Sequence, residues 1–209
     1  MRADTLVDVA VFARAPVAGH AKTRLIPRLG AAGAAALQRQ LVERTLARAC
    51  ALPGARVTLW STADDGWMTA AAESASAALR SQRGADLGER MAHAFERTLD
   101  GTRPMLLIGT DCPAQTTDDL HRAADALRTA DAVVQPAEDG GYVLVGMTRF
   151  HPQLFDAIPW GSGAVLAATR ARAAAHGIRL AELPMCWDLD RDADLERAVT
   201  LGLVDLPTA

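Results

Sequence analysis

Apolar runs and helical spacings alternate along most of the chain. Val7–Ala13 is a β-branched-rich run that ends at a loop, the pattern of a buried strand. Leu37, Leu41, Thr45 and Leu46 then recur at helical spacing in a segment reaching about residue 51. Residues 57–61 read as a second short strand, 67–75 as a weaker helix, 78–82 as a third strand and 87–99 as a helix. The run 105–109 is the most strand-like after the first and stops at Thr110-Asp111-Cys112-Pro113. A helix over 117–129 follows it, with Thr116 or Thr117 as the cap. Strands over 132–136 and 141–146 flank Glu138-Asp139-Gly140, a turn signal. A helix over 162–176 closes at Gly177, and a strand over 178–183 and a helix over 193–201 complete the chain.

Strand and helix alternate up to about residue 137, which predicts an α/β fold with a mostly parallel central sheet covered by helices on both faces. The later hairpin adds an antiparallel strand. No repeat, linker or low-complexity tract interrupts the 209 residues, so 1–209 is expected to be a single domain with a sizeable core. Ala and Leu carry most of the apolar content and aromatics make up only 4%, which favours helix packing over an all-β sandwich.

Charge and cysteine usage narrow the partners. A net charge of −3 lacks the electrostatic footprint of a nucleic-acid binder, although a few aimed cations still suffice for a small anion. Cys50, Cys112 and Cys186 are scattered and form no C-x-x-C pair, so the spacing suggests neither a zinc site nor a disulfide framework. Asp4 and Asp8 interrupt the N-terminal apolar stretch, against a signal peptide. No window approaches the roughly 20 apolar residues of a membrane helix. The expectation is a cytoplasmic protein with no nucleic-acid or membrane partner.

The loop after the first strand is the most informative stretch. It contains Pro16, Gly19 and the cations Arg14, Lys22 and Arg24. In an open α/β sheet ligands bind beyond the carboxyl ends of the strands, and cations with free backbone N–H groups there suit a di- or triphosphate. A solvated basic loop is the competing reading, which the position directly after the first strand disfavours. A Walker A loop would need glycine where Pro16 and Ala21 stand, and G-x-G-x-x-G is missing too, so this is another kind of phosphate loop.

The acidic positions carry two readings each. Asp111 ends a strongly apolar strand, where a divalent ion could bridge it to a phosphate; from that segment alone, capping of the turn before Pro113 is the simpler account. In Trp187-Asp188-Leu189-Asp190-Arg191-Asp192-Ala193-Asp194 a calcium loop fails, because Ala193 and Val199 stand where glycine and glutamate are required. Asp192 and Asp194 suit the first turn of the last helix, leaving Asp188 and Asp190 as ligand candidates. A phosphatase with an Asp-x-Asp nucleophile is excluded by Ala13-Arg14 after the first strand. Glu138-Asp139-Gly140-Gly141-Tyr142 is a hairpin turn or an acceptor site. Cys112 has no evident base partner and reads as a packing residue. His20 reads as a solvated loop histidine, and Trp160 and Trp187 as core or pocket-wall residues.

Five blocks taken in order resemble a known family: FARAPVAGHAKTRL (12–25), QRGADLGERMAHAF (82–95), LIGTDCP (107–113), EDGGYVLVG (138–146) and WDLDRDADLE (187–196). They are similar to the bacterial DUF2064 glycosyltransferase-like proteins of the GT-A nucleotide-diphospho-sugar transferase superfamily. The resemblance implies a Rossmann-like GT-A fold with a nucleotide over the first loop, held by Ala13, Arg14, Gly19, Lys22 and Arg24, with Gln82, Leu87 and Gly88 near the base. It implies Asp111 as a ligand to Mg²⁺ or Mn²⁺, with Asp190 or Asp188 as the second; the family's Asp-Thr-Pro-Glu-Asp-Leu segment is only partly matched by 190–195. Gly140, Gly141, Tyr142 and Trp160 would face a small-molecule acceptor, with Asp139 as its base. Lys22, Asp111 and Asp139 are thus the catalytic candidates.

The expected activity is metal-dependent transfer from a nucleotide-activated donor, foremost glycosyl transfer from a sugar nucleotide. The family also resembles guanylyltransferases that share the lysine-bearing loop, so nucleotidyl transfer from an NTP to a phosphorylated small molecule stands as the alternative. A non-catalytic nucleotide-binding module is the third.

Overall fold

The computed structural model describes residues 6–206. Asp4, which counted against a leader segment, lies outside the described residues. A seven-stranded sheet runs in the order β3-β2-β1-β4-β6-β5-β7. Its strands are β1 (Val7–Ala13), β2 (Ala55–Ser61), β3 (Ala78–Ser81), β4 (Met105–Gly109), β5 (Ala132–Pro136), β6 (Tyr142–Met147) and β7 (Leu180–Glu182). All pairings are parallel except those of β6, which runs antiparallel to β4 and β5. The expected late antiparallel strand is β6, which lies inside the sheet between β4 and β5.

The helices are α1 (Ile26–Cys50), α2 (Gly66–Ser74), α3 (Leu87–Thr98), α4 (Thr117–Ala126), α5 (Val165–Ala175) and α6 (Asp192–Thr200). The side-chain alternation of β1 assigns them to faces. Val7, Val9, Val11 and Ala13 pack with α1, α2 and α4, whereas Ala10 and Phe12 pack with α3 and α5. Every residue of β1 is buried, which explains why it reads as an unbroken apolar run. The one charge inside it, Asp8, lies opposite Arg56 of β2 and accepts two hydrogen bonds from its guanidinium, at 2.6 and 2.7 Å.

Element ends follow local chemistry. Asp65, Asp86 and Thr116 cap α2, α3 and α4 through their side-chain oxygens, and Thr116 with Asp119 closes a capping box. α1 begins eleven residues before the Leu37 periodicity, with Pro27 in its first turn and a break at Gly30. That opening, rich in Ala and Gly, has too few large apolar residues to announce a helix. α6 packs with the middle of α1 through Leu37, Leu41, Trp187, Leu189 and Leu195, which anchors the segment leading into α6. Among the described residues, no helix is long and apolar enough to cross a membrane.

Candidate functional site

Parallel strands put all their C-terminal ends on one rim, so the segments that follow β1, β4, β5 and β7 meet there. Lys22 lies in the loop after β1 and has a left-handed backbone, φ 46° and ψ 45°. Its side chain is only 5% exposed; the ammonium donates to the Leu189 carbonyl and sits 2.8 Å from Asp111 Oδ1. Asp111 follows β4, and its own carbonyl accepts from the Leu189 N–H at 2.6 Å. That backbone bond clips the segment around Asp188 to the end of β4. Lys22, Asp111 and Asp188–Asp190, far apart in sequence, therefore share one site.

The site is rich in carboxylates. Asp188 is half-buried, and burial pushes its carboxyl up from the ordinary carboxylate range, reinforced by the negative charges of Asp139, Asp111 and Asp190. Asp190 forms an ion pair with Arg24 and Asp139 accepts from Gly141 N–H at 2.8 Å, so each already has one oxygen engaged. Asp111 is more than half exposed despite its lysine, and presents its free oxygen to solvent. Oxygen donors of this hardness suit Mg²⁺ or Mn²⁺. Among the described residues, no three His, Cys, Asp or Glu side chains already form a coordination shell. Mg²⁺ is commonly held by one or two protein carboxylates and completed by substrate phosphates and water.

A cleft of about 450 Å³ at the loop after β1 is lined by Arg14, Val17, His20, Thr62 and Arg90. Arg14 donates to the His20 carbonyl, and Gly19 turns the loop at φ 83°. Ala13 is buried, and its carbonyl accepts from both Thr62 N–H and Gln82 Nε2, so it braces the loop. Gln82 Nε2 also donates to the Trp60 carbonyl at 2.9 Å. With both amide hydrogens committed to carbonyls, Gln82 has only Oε1 left for a ligand, as an acceptor. Leu87, at the start of α3, is exposed, whereas Gly88 is buried beneath the Trp160 indole; a Cβ there would lie 2.2 Å from Trp160 Nε1.

Trp160 meets Tyr142 edge-on at 6.3 Å and stacks on Phe155. Burial pushes the Tyr142 phenol up, partly offset by a hydrogen bond with Thr169. Gly140 has φ 87°, and a Cβ on it would come within 2.2 Å of the Gly163 carbonyl oxygen; its own carbonyl accepts from Leu166 N–H. The Asp139–Tyr142 turn is thereby pinned to the start of α5, beside the aromatic wall. Trp187, by contrast, is buried in the core beneath α6, with Arg197 4.4 Å above its ring.

Several residues here escaped the sequence reading. Gln38 of α1 is buried and donates to the Arg14 carbonyl and to Thr110 Oγ1, joining the loop after β1 to the end of β4. Its signal was a polar residue among the apolar positions of α1. Arg90, inside the 82–95 block but given no role there, and Thr62, just after β2, also line the cleft. Cys112 and Cys186 sit with their sulfurs 3.0 Å apart, and Arg48 donates to the Cys112 carbonyl beside them.

The comparisons with known proteins bear on the family and the fold. A family model described as an uncharacterized protein conserved in bacteria (DUF2064) matches residues 45–162. No curated protein matches the chain. A crystal structure from Desulfovibrio desulfuricans G20, provisionally named a nucleotide-diphospho-sugar transferase, is 30% identical over 91% of this chain and 85% of its own, with a TM-score of 0.83. The 4-diphosphocytidyl-2C-methyl-D-erythritol synthase of Anaerococcus prevotii DSM 20548 is 11% identical, covers 96% of this chain and 97% of its own, and has a TM-score of 0.66. Glucosyl-3-phosphoglycerate synthase of Mycobacterium tuberculosis, solved with Mn²⁺ and UDP, is 12% identical over 99% of this chain and 82% of its own, with a TM-score of 0.57. The fold is thus the Rossmann-like fold of these nucleotidyl- and glycosyltransferases.

Proposed function

The chain belongs to the DUF2064 family, and from that premise we propose that it is a metal-dependent transferase acting on a nucleotide-activated donor, by preference a sugar nucleotide. One observation carries the reading: an almost fully buried lysine, Lys22, faces the Asp111 carboxylate beside Asp188 at the C-terminal rim of a parallel sheet. A buried ammonium among like-charged carboxylates suits a site built to share a diphosphate and a divalent ion. The preference for a sugar donor follows the name of the 30% identical relative. The whole of 1–209 is taken as one catalytic domain, and a small molecule as the acceptor.

Asp111 and Asp188 would hold the ion, Asp190 being engaged by Arg24. A bound Mg²⁺ or Mn²⁺ supplies Lewis-acid stabilisation of charge on the leaving phosphate. Lys22 turns from Asp111 toward the diphosphate and meets the negative charge that grows as the glycosidic bond breaks. Arg14 and Arg90 hold the donor in the cleft, and Arg24, paired with Asp190, adds a cation from the same loop. Gln82 Oε1 accepts from an N–H of the base, near Leu87 and Gly88. Tyr142 and Trp160 wall the acceptor, the Gly140–Gly141 turn approaches it, and the free oxygen of Asp139 takes its hydroxyl proton.

Nucleotidyl transfer is the second reading, favoured by the same lysine: charge building on the α-phosphate of an NTP would meet it equally well. Incubation with sugar nucleotides and NTPs, with Mg²⁺ or Mn²⁺ and a panel of hydroxylated and phosphorylated acceptors, separates them. Metal-dependent release of nucleoside diphosphate is the expected result, and pyrophosphate would instead establish the second reading. Calorimetric binding without turnover of any donor would reduce the protein to a binding module.

A further inference from the structure

We propose that Cys112 and Cys186 form a site of oxidative modification, where a hydroperoxide converts the two thiols into an intramolecular disulfide. The pair is separated by 74 residues, yet its sulfurs lie 3.0 Å apart. Hydrogen bonds anchor the backbone of each cysteine separately. Cys186 N–H donates to the Pro136 carbonyl at 2.9 Å, and the Cys186 carbonyl accepts from Glu138 N–H at 3.2 Å. The Cys112 carbonyl accepts from Gln115 N–H and from the Arg48 guanidinium. A disulfide needs its sulfurs about 2.05 Å apart, so closing the bond takes an approach of roughly 1 Å, within reach of small side-chain rotations.

The surroundings favour a disulfide over a metal site. Among the described residues, no His, Asp or Glu joins the two sulfurs to make a three-ligand group. Exposure sets the order of events. Cys112 is 1% exposed and Cys186 partly exposed, so Cys186 is the sulfur a peroxide reaches.

The Cys186 thiolate attacks a peroxide oxygen and the O–O bond breaks. For hydrogen peroxide the products are a sulfenic acid on Cys186 and hydroxide, which leaves as water with the proton released by Cys186. Cys112 then attacks the sulfenic sulfur, the S–O bond breaks, and its proton departs with the hydroxide as a second water. Two thiols and one peroxide give one disulfide and two waters; the sulfurs together lose two electrons. The bond ties the loop carrying Asp111 to the segment carrying Asp188. The chemistry is independent of the transferase reading and is read on its own.

The full-length protein is treated with hydrogen peroxide, alkylated and mapped by non-reducing mass spectrometry. The expected product is a Cys112–Cys186 linked peptide, with intact mass lowered by two hydrogens, Cys50 still alkylated, and dithiothreitol restoring all three thiols. Cys50→Ser is expected to give the same linked peptide and Cys186→Ser none. A disulfide to Cys50 or between molecules as the main product would overturn the proposal. So would a sulfinic acid on Cys186 with Cys112 still alkylatable after dilution into denaturant, or an unchanged intact mass.

Discussion

At the scale of single residues, Lys22 combines two unfavourable features, a left-handed backbone at φ 46° and a buried ammonium. A non-glycine residue in that region costs on the order of 1 kcal/mol, and such strain tends to persist where function holds it. Two substitutions separate backbone from side chain. On the proposed reading, Lys22→Ala and Lys22→Gly are both expected to lower kcat/KM by about two to three orders of magnitude, since each removes the charge assigned to the leaving group. Lys22→Gly is expected to melt above Lys22→Ala, because glycine accepts the positive φ freely; equal melting temperatures would remove the strain from the account. Asp188 shows the complementary trade. It is half-buried among Asp139, Asp111 and Asp190, so Asp188→Asn relieves like-charge repulsion. We expect Tm to rise by about 1–3 °C while metal-dependent turnover is lost. A fall in Tm would mean that Asp188 is already neutralised in the folded protein.

Elements carry the site because their ends are fixed. The turn before β6 is held against α5 at Gly140, where positive φ and the Gly163 carbonyl leave no room for a side chain. Gly140→Ala is expected to destabilise the protein by about 2–3 kcal/mol in urea unfolding and to impair acceptor use. At the opposite end of the sheet, Arg179, just before β7, binds the Asp131 carboxylate, just before β5, through its backbone N–H and guanidinium. Those bonds hold the Asp131 carboxyl well below the usual carboxylate range. A depressed folded-state pKa stabilises the fold above the unfolded value, about 3.9, and that contribution fades as pH falls further. Asp131→Asn should therefore lower the urea midpoint at neutral pH and narrow its difference from the midpoint in acid. An identical acid sensitivity in variant and parent would show that the pair does not govern the edge of the sheet.

At the scale of the whole molecule, the site is assembled from one rim, so ligands that bind it should report on the entire fold. Mn²⁺ and a nucleotide diphosphate are expected to raise Tm together by more than the sum of their separate effects, because each completes the other's coordination. EDTA should cancel the gain, and Asp111→Asn should remove the excess. Strictly additive shifts in the parent protein would argue for separate sites.

The sequence by itself determined the order of strands and helices, the boundaries of β4 and β5, the loop after β1 as the cationic segment, and Asp111 as a rim carboxylate. These are readable because a strand buried on both faces must be apolar along its length, and because a charge directly after such a strand stands out. Only the tertiary structure decided which distant residues meet. The clip between Leu189 N–H and the Asp111 carbonyl, the Gln38 bridge from α1, Arg90 in the cleft, and the contact of Cys112 with Cys186 all join segments with no shared period or motif. Local pattern gives Asp188 and Asp190 the same alternation, whereas the fold half-buries Asp188 and pairs Asp190 with Arg24. Periodicity records which face of an element is buried; it carries no information about which other element buries it.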